Sequence, residues 1–525
     1  METILIPPGL RPLFLYILAA GIFFAGSIRT QAGNPELVYT VTMPQPGSHK
    51  FHLELQCNGL RGDTITFRMP RWMPGYYQIM NYAQNLENLA ATDDNGSNLT
   101  VIPVNENTWR IPGVSGKPFR VTYDVKADRR FVANSYLDTT HAYIVPEALF
   151  LYIEGSLDLP VLVKIDCSDR WTGIATGLDP VFGTSREFTA PDFDILYDCP
   201  LLIGELEELP SFRVNGIEHR FIGYGMGAFD RHLFMDNLKK VVESAVALMG
   251  DIPYKQYTFI GIGPGRGGIE HLNNTTVTFT GEGLETPEGM AGTMGFLGHE
   301  YFHNYNVKRI RPFELGPFDY DRGNKTYLLW VSEGLSVYYE YLVLERAGLM
   351  NERQLLDRFA QDITTLENNP GRKHQSLAQA SYETWSDGPF GKQGADAGKS
   401  ISYYVKGPVV GLLLDFAIRH ATENSKSLDD VIRYLYNHYY KKLGRGFTDA
   451  EFQRSCEEIA GTSLVKFFEY IYTTKDLNYD KYLSYAGLEL KEYAGTDKGA
   501  RKFMLRRKAD VTPAQEAVLQ DWLAR

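Results

Sequence analysis

The sequence predicts a multidomain α+β protein: a β-sandwich-like domain at the N-terminus, an α/β segment in the middle and a helical bundle toward the C-terminus. Three observations carry this. Residues 36 to about 210 hold short alternating runs such as Val38-Tyr-Thr-Val-Thr42, Phe51-His-Leu-Glu-Leu55 and Thr64-Ile-Thr-Phe67, separated by turn residues. Near Asp230 the apolar period lengthens, and Leu238, Val241, Val242, Ala245 and Leu248 fall on one helical face. From about Asn351 onward the pattern is mostly helical, with Thr448-Asp-Ala-Glu451 reading as a capping box.

Each element follows in order. With 525 residues the chain is too long for one ordinary core. Arg11 precedes an apolar run from Leu13 to Gly26, and Thr30-Gln-Ala32 is a cleavage-like site, so residues 1–32 read as a signal peptide. The alternative is an uncleaved anchor, although the run is short for a membrane span. With the signal removed, the chain is expected to be exported to periplasm or medium, with no stable membrane insertion. The β domain then spans 33–215, the α/β segment 216–345, the helical region 346–480 and a C-terminal tail 481–525. Within the α/β segment, Tyr257-Thr-Phe-Ile-Gly-Ile262 and Thr275-Thr-Val-Thr-Phe279 read as strands. In the β domain, Arg71-Trp-Met-Pro-Gly-Tyr-Tyr77 reads either as a packed corner or as a wall of a cleft.

Composition narrows the function classes. Hydrophobic content of 44% and aromatic content of 13%, from 33 Tyr and 29 Phe among others, fit a folded globular protein. A net charge of −11 without a basic block argues against nucleic-acid binding. Cys57, Cys167, Cys199 and Cys456 are too few for a disulfide framework, and Cys167 with Cys199 is the pair that export would allow to bridge.

Chemistry concentrates at His299-Glu-Tyr-Phe-His303, with Glu333 about thirty positions on. On a helix, His299 and His303 lie one turn apart and can hold a single metal ion from one face. Glu300 sits where a general base belongs, and Glu333 is the natural third ligand, giving the His2Glu set of thermolysin-like zinc peptidases. The cofactor implied is one Zn2+ per chain. The apolar flanks, Met294, Phe296, Leu297, Tyr301 and Phe302, argue that the helix is buried, where an unpaired His-Glu-His cluster would be costly. Tyr327-Leu-Leu-Trp330 is expected to lead into a second helix carrying Glu333.

Three further candidates have weaker signals. Tyr404 could donate to an oxyanion, with Tyr403 as its competitor and a core tyrosine as the ordinary alternative. Glu270 follows Gly267 and Gly268, whose backbone permits close approach to a ligand. A carboxylate there could hold a peptide's free ammonium, or be a turn glutamate. Glu340, seven residues after Glu333, could accept from a ligand histidine's free N–H or be a solvated charge.

The run His299-Glu-Tyr-Phe-His-Asn-Tyr-Asn-Val-Lys-Arg-Ile-Arg-Pro312, with Pro317-Phe-Asp-Tyr320, Leu329-Trp-Val-Ser-Glu-Gly-Leu-Ser-Val-Tyr-Tyr339, Tyr403-Tyr-Val-Lys-Gly407 and Trp72-Met-Pro-Gly-Tyr-Tyr77, resembles the glycyl aminopeptidase family of zinc metallopeptidases. The resemblance runs from about residue 36 to 490. It implies a thermolysin-like α/β peptidase domain, zinc on His299, His303 and Glu333, and Glu300 as general base. It also implies Glu270 as the amine anchor, Tyr404 as the transition-state donor, and release of N-terminal glycine and some alanine from peptide substrates. One departure stands out. Many members of the family carry a PDZ domain near the C-terminus, whereas only 35 residues follow Leu490 here, so the chain looks like a variant with that domain excised. The competing functions are a zinc endopeptidase without amine anchoring and a non-catalytic exported peptide-binding protein.

Overall fold

A computed structural model of the chain describes residues 37–495 and 500–523. The expected signal segment lies outside the described residues.

The β domain is built as its alternation predicts. Leu37–Thr42 pairs antiparallel with Lys50–Cys57 in the register Tyr39 to Leu55, and alternate residues of both strands are buried. Val161–Asp166 joins the other edge of Leu37–Thr42 in parallel, within a seven-stranded sheet. A four-stranded sheet containing Thr64–Arg68 and Thr108–Pro112 contributes Ile65, Phe67 and Ile111 to the same core as Tyr39, Leu53 and Tyr123. Valine, isoleucine and the aromatics suit a half-buried pleated surface, which is why the period-two runs became strands.

A second mixed sheet positions the site. Ile217–Gly223, Gln256–Gly261 and Asn274–Val277 run parallel, and Gly268–Glu270 closes one edge antiparallel to Asn274–Val277. Its faces divide the molecule. Phe221, Phe259 and Val277 point into the helical core, while Ile222, Ile260 and Ile269 point into the core of the β domain. Such two-sided burial explains the near-continuous apolar run of 257–262. The helix Arg231–Met249 is capped by Asp230, whose side chain accepts from the Leu233 N–H, and ends at Gly250 in the left-handed region. It buries Leu238, Val241, Val242, Ala245 and Leu248, the face the periodicity predicts.

The helix Pro287–Phe302 begins at Thr286 with proline in its first turn. Glu333 does not sit on an ordinary α-helix as expected. Trp330–Gly334 is a π-helical turn that passes into the helix Leu335–Arg346. Leucine, tryptophan and valine carry no periodicity that separates a widened turn from an α-turn, so no sequence signal marks it. This turn packs on the helix Tyr403–Ala421 through glycine against glycine: a Cβ on Gly334 would lie 2.7 Å from Gly407 Cα. The approach explains the glycine of Tyr403-Tyr-Val-Lys-Gly407 and brings Tyr404 toward Glu333.

The segment expected as a tail is built into the helical region. Leu488–Ala494 and Arg501–Arg507 pair as two antiparallel strands, and the helix Pro513–Trp522 follows. Trp522 is fully buried, with its ring 5.2 Å from that of Phe416 and its N–H donating to the Tyr338 hydroxyl at 2.9 Å. All four cysteines are buried and free, so Cys167 and Cys199 are unbridged.

Candidate active site

His299 lies in the last turn of its helix and His303 caps the end. A helix C-terminus carries partial negative charge, which favours a cation there. Their Nε2 atoms face each other at 2.9 Å, and the Glu333 carboxylate stands 3.2 Å from His303 Nε2 and 3.7 Å from His299 Nε2. All three residues are buried, and their ligand atoms lie within 4.8 Å of one another. Donors about 2.0–2.2 Å from a tetrahedral zinc stand a little over 3 Å apart, so the spacing suits such an ion.

Tautomers make the argument stronger. His303 Nδ1 donates to the Asn306 carbonyl at 2.6 Å, and His299 Nδ1 faces a Glu340 carboxylate oxygen at 3.6 Å. With protons on both Nδ1 atoms, each Nε2 presents a lone pair. Two lone pairs and a carboxylate oxygen, buried together, repel unless a cation or a proton lies between them. Burial opposes charge on His303, but Glu333 and Glu270 outweigh it and push its pKa up to about 10. The residues therefore fit a metal ion, with the Asn306 carbonyl orienting the His303 imidazole and Glu340 near His299 Nδ1.

Glu333 also accepts from the Tyr404 hydroxyl at 2.9 Å. Tyr403, its competitor, instead turns its hydroxyl toward Thr384 Oγ1 at 3.1 Å. Glu300 is buried with one carboxylate oxygen, Oε2, lacking a hydrogen-bond partner. Burial, with the nearby charges of Glu270 and Glu333, raises it well above the usual carboxylate range. Its other oxygen explains the glycine pair: a Cβ on Gly268 would lie 2.5 Å from Glu300 Oε1. Gly267 adopts φ 92°, a backbone region that L side chains rarely enter.

Glu270 is not in a turn. It ends the edge strand Gly268–Glu270, 4% exposed, with Oε1 unpartnered. The corner at 71–77 is packed, as the first of its two readings expects, and it also lines a cavity. Trp72 is fully buried, and Gly75 adopts φ 92° where a Cβ would lie 2.9 Å from Glu270 Oε2. Gly75, Tyr77, Glu270, Leu272 and Phe318 line a cavity of about 80 Å³.

Sequence reasoning missed the braces behind this cavity. Lys308 Nζ lies 2.5 Å from Asp198 Oδ1, and Asp198 Oδ2 accepts from the Leu272 N–H at 2.6 Å. The Arg309 guanidinium donates to the carbonyls of Leu272 and Asn304. Asn306 bridges from the histidine segment to the carbonyls of Val331 and Ser332, beside Glu333. Lys308, Arg309 and Asn306 lie in the run that follows His303, so adjacency was a usable signal. Asp198 comes from a distant loop and had none.

A buried triad of metal-ligating groups, with a carboxylate beside it on a sheet edge, defines a metallopeptidase. Comparison with known proteins is more particular. Residues 38–205 match the peptidase M61 N-terminal domain, and residues 292–410 match the M61 glycyl aminopeptidase domain, together more than half of the chain. The chain belongs to the M61 glycyl aminopeptidase family and is a hydrolytic peptidase. Among solved structures it is similar to an aminopeptidase N family protein from Idiomarina loihiensis, with 26% identity, a TM-score of 0.82, and 88% of this chain and 80% of that one covered. It shares its fold with an M1 zinc metallopeptidase from Deinococcus radiodurans, with 14% identity, a TM-score of 0.52, and 84% and 94% covered. A mutant of the latter bound to a Tyr-Ser-Ala substrate gives 14% identity, a TM-score of 0.50 and the same coverage. No curated protein sequence matches significantly.

Proposed function

We propose that this protein is a zinc-dependent aminopeptidase that removes N-terminal glycine or alanine from peptides. The observation that carries this reading is the buried, half-unpartnered carboxylate of Glu270 beside the triad, facing a cavity of about 80 Å³. The preference for a small first residue follows the glycyl aminopeptidase family. A free α-ammonium satisfies the carboxylate by a charge-assisted bond, worth about 1.5–3 kcal/mol.

His299, His303 and Glu333 would hold the zinc. When bound, it supplies Lewis acidity, which acidifies water and polarises a carbonyl. Glu300 takes the proton of the attacking water on its carboxylate and returns it to the departing amine. Burial makes this carboxylate a stronger base, and its position is set by the missing Cβ of Gly268. The Tyr404 hydroxyl, held ready on Glu333, donates to the oxyanion as negative charge grows there. Glu270 fixes the amine and thereby the number of residues before the cut.

Hydrolysis of glycyl-, alanyl- and leucyl-anilides, with an N-acetyl-glycyl control and with and without a zinc chelator, tests this reading. Chelator-sensitive cleavage of the free glycyl and alanyl compounds is expected. Cleavage of the blocked control would instead indicate an endopeptidase.

A further inference from the structure

Phe390 is 73% exposed, yet it is held in place rather than hanging free. Its ring lies 5.7 Å from that of Tyr404, which in turn stands 6.2 Å from the His299 imidazole. The three rings follow one another from the metal-ligating cluster to the exposed Phe390. The turn carrying Phe390 is tied to the start of the Tyr404 helix. Ser402 Oγ donates to the Pro389 carbonyl at 2.8 Å and accepts from the Tyr404 N–H at 3.2 Å. The Lys392 N–H donates to Ser400 Oγ at 2.7 Å, and Gly391, at φ 83°, leaves room for that oxygen. Phe182 is a contrast: it is fully exposed in the β domain, with no ring contact among the described residues. An aromatic ring fixed in water next to a reacting group costs free energy that a ligand can recover.

The direction of the substrate follows from burial. Glu270, which would take the free amine, lies at the closed end of the site, 4% exposed, behind Gly75 and Tyr77. A peptide held there by its amine runs outward past the triad, and Phe390 is the exposed ring beside Tyr404. We infer that Phe390 walls the subsite for the residue that follows the scissile bond, and selects a large apolar or aromatic side chain there. The inference rests on the aminopeptidase reading and specifies its substrate class: peptides with a small first residue and a bulky apolar second.

The test compares kcat/KM for glycyl-phenylalaninamide, glycyl-leucinamide and glycyl-glycinamide, in the zinc-loaded wild type and in Phe390→Ala and Phe390→Tyr. The wild type should prefer the phenylalanine compound over the glycine one. Phe390→Ala should lower kcat/KM on it about tenfold, mostly through KM, the size of one aromatic contact with its buried area. Glycyl-glycinamide offers the ring no side chain and should lose no more than about threefold. Phe390→Tyr should restore most of the preference. Equal losses on all three amides would mean that the ring supports Tyr404 rather than the substrate, and no loss on any would remove its role; either result overturns the subsite alone. If the wild type cleaves N-acetylated peptides as fast as free ones, the aminopeptidase reading fails and the subsite fails with it.

Discussion

The helix side and the strand side of the site are built by different routes. On the helix side, His299, Glu300 and His303 are set by the 3.6-residue period of one helix, and Glu333 arrives on the next element in sequence. On the strand side, Glu270 depends on three segments far apart in the chain: the corner at Gly75, the loop at Asp198, and Lys308 with Arg309. Local periodicity gives the helix side its chemistry. Tertiary packing places the strand side, because nothing within Gly267-Gly-Ile-Glu270 alone buries a carboxylate. Substitutions on the two sides should therefore fail in different ways.

The largest effect is expected from Glu300→Gln. It removes the base while keeping shape, so kcat should fall by at least about 10³-fold, within the range for general acid–base groups. Zinc content, measured by atomic emission on the purified protein, should stay near one per chain. Turnover within tenfold of wild type would remove Glu300 from the mechanism.

Gly268→Ala crosses the comparison. It lies on the strand side, but its Cβ would meet Glu300 Oε1 at 2.5 Å. Displacing the base should lower kcat by about 10²-fold and leave the discrimination between free and acetylated peptides intact. A change in that discrimination, with kcat unaltered, would show that Gly268 serves the amine anchor instead.

Glu270→Gln should cost about 10- to 100-fold in kcat/KM on substrates with a free amine, the value of one charge-assisted bond. Acetylated peptides should be affected little, so the two classes should converge. Parallel loss on both would place Glu270 in the chemistry rather than in recognition.

These contrasts also account for what the sequence made legible. The His299–Glu333 set and Glu300 could be read from spacing, and Glu340 from one helical face, because helix geometry converts separation in sequence into direction in space. Strand alternation made the β domain readable for the same reason. The π-helical turn at Glu333 was invisible, since its residues are equally compatible with an α-turn. Glu270 could equally read as a turn residue, because its strand has three residues and its burial comes from segments distant in sequence, such as the corner at Gly75. The tail looked like a remnant because Trp522 finds its partners, Tyr338, Phe359 and Phe416, more than a hundred residues away.

The smallest prediction concerns buried acids, and it has opposite signs on the two sides. Asp198, on the strand side, is buried, but the Lys308 ammonium at 2.5 Å holds it below the usual range. Asp362, beside the helix side, accepts from Tyr341 at 3.1 Å, and burial pushes it up to about 7 with neighbouring Glu340 adding to the shift. In the unfolded chain both titrate near about 3.9. For Asp362 the folded state binds the proton more tightly, so stability falls as pH rises from about 4 to 7, and above 7 the full penalty remains. Asp362→Asn should thus raise Tm by about one degree at pH 8, about 1 kcal/mol in a chain of this size, and change little at pH 4. For Asp198 the ionised form is favoured by folding, so its contribution is present above about pH 4 and is lost as pH falls through its lowered value. Asp198→Asn leaves Lys308 buried and unpaired, and should lower Tm at pH 8. Thermal unfolding of both variants at pH 4 and pH 8 measures the difference. If both shift Tm in the same direction at pH 8, the Lys308 pair does not separate the two sides, and the strand side owes its rigidity to Arg309 and the backbone instead.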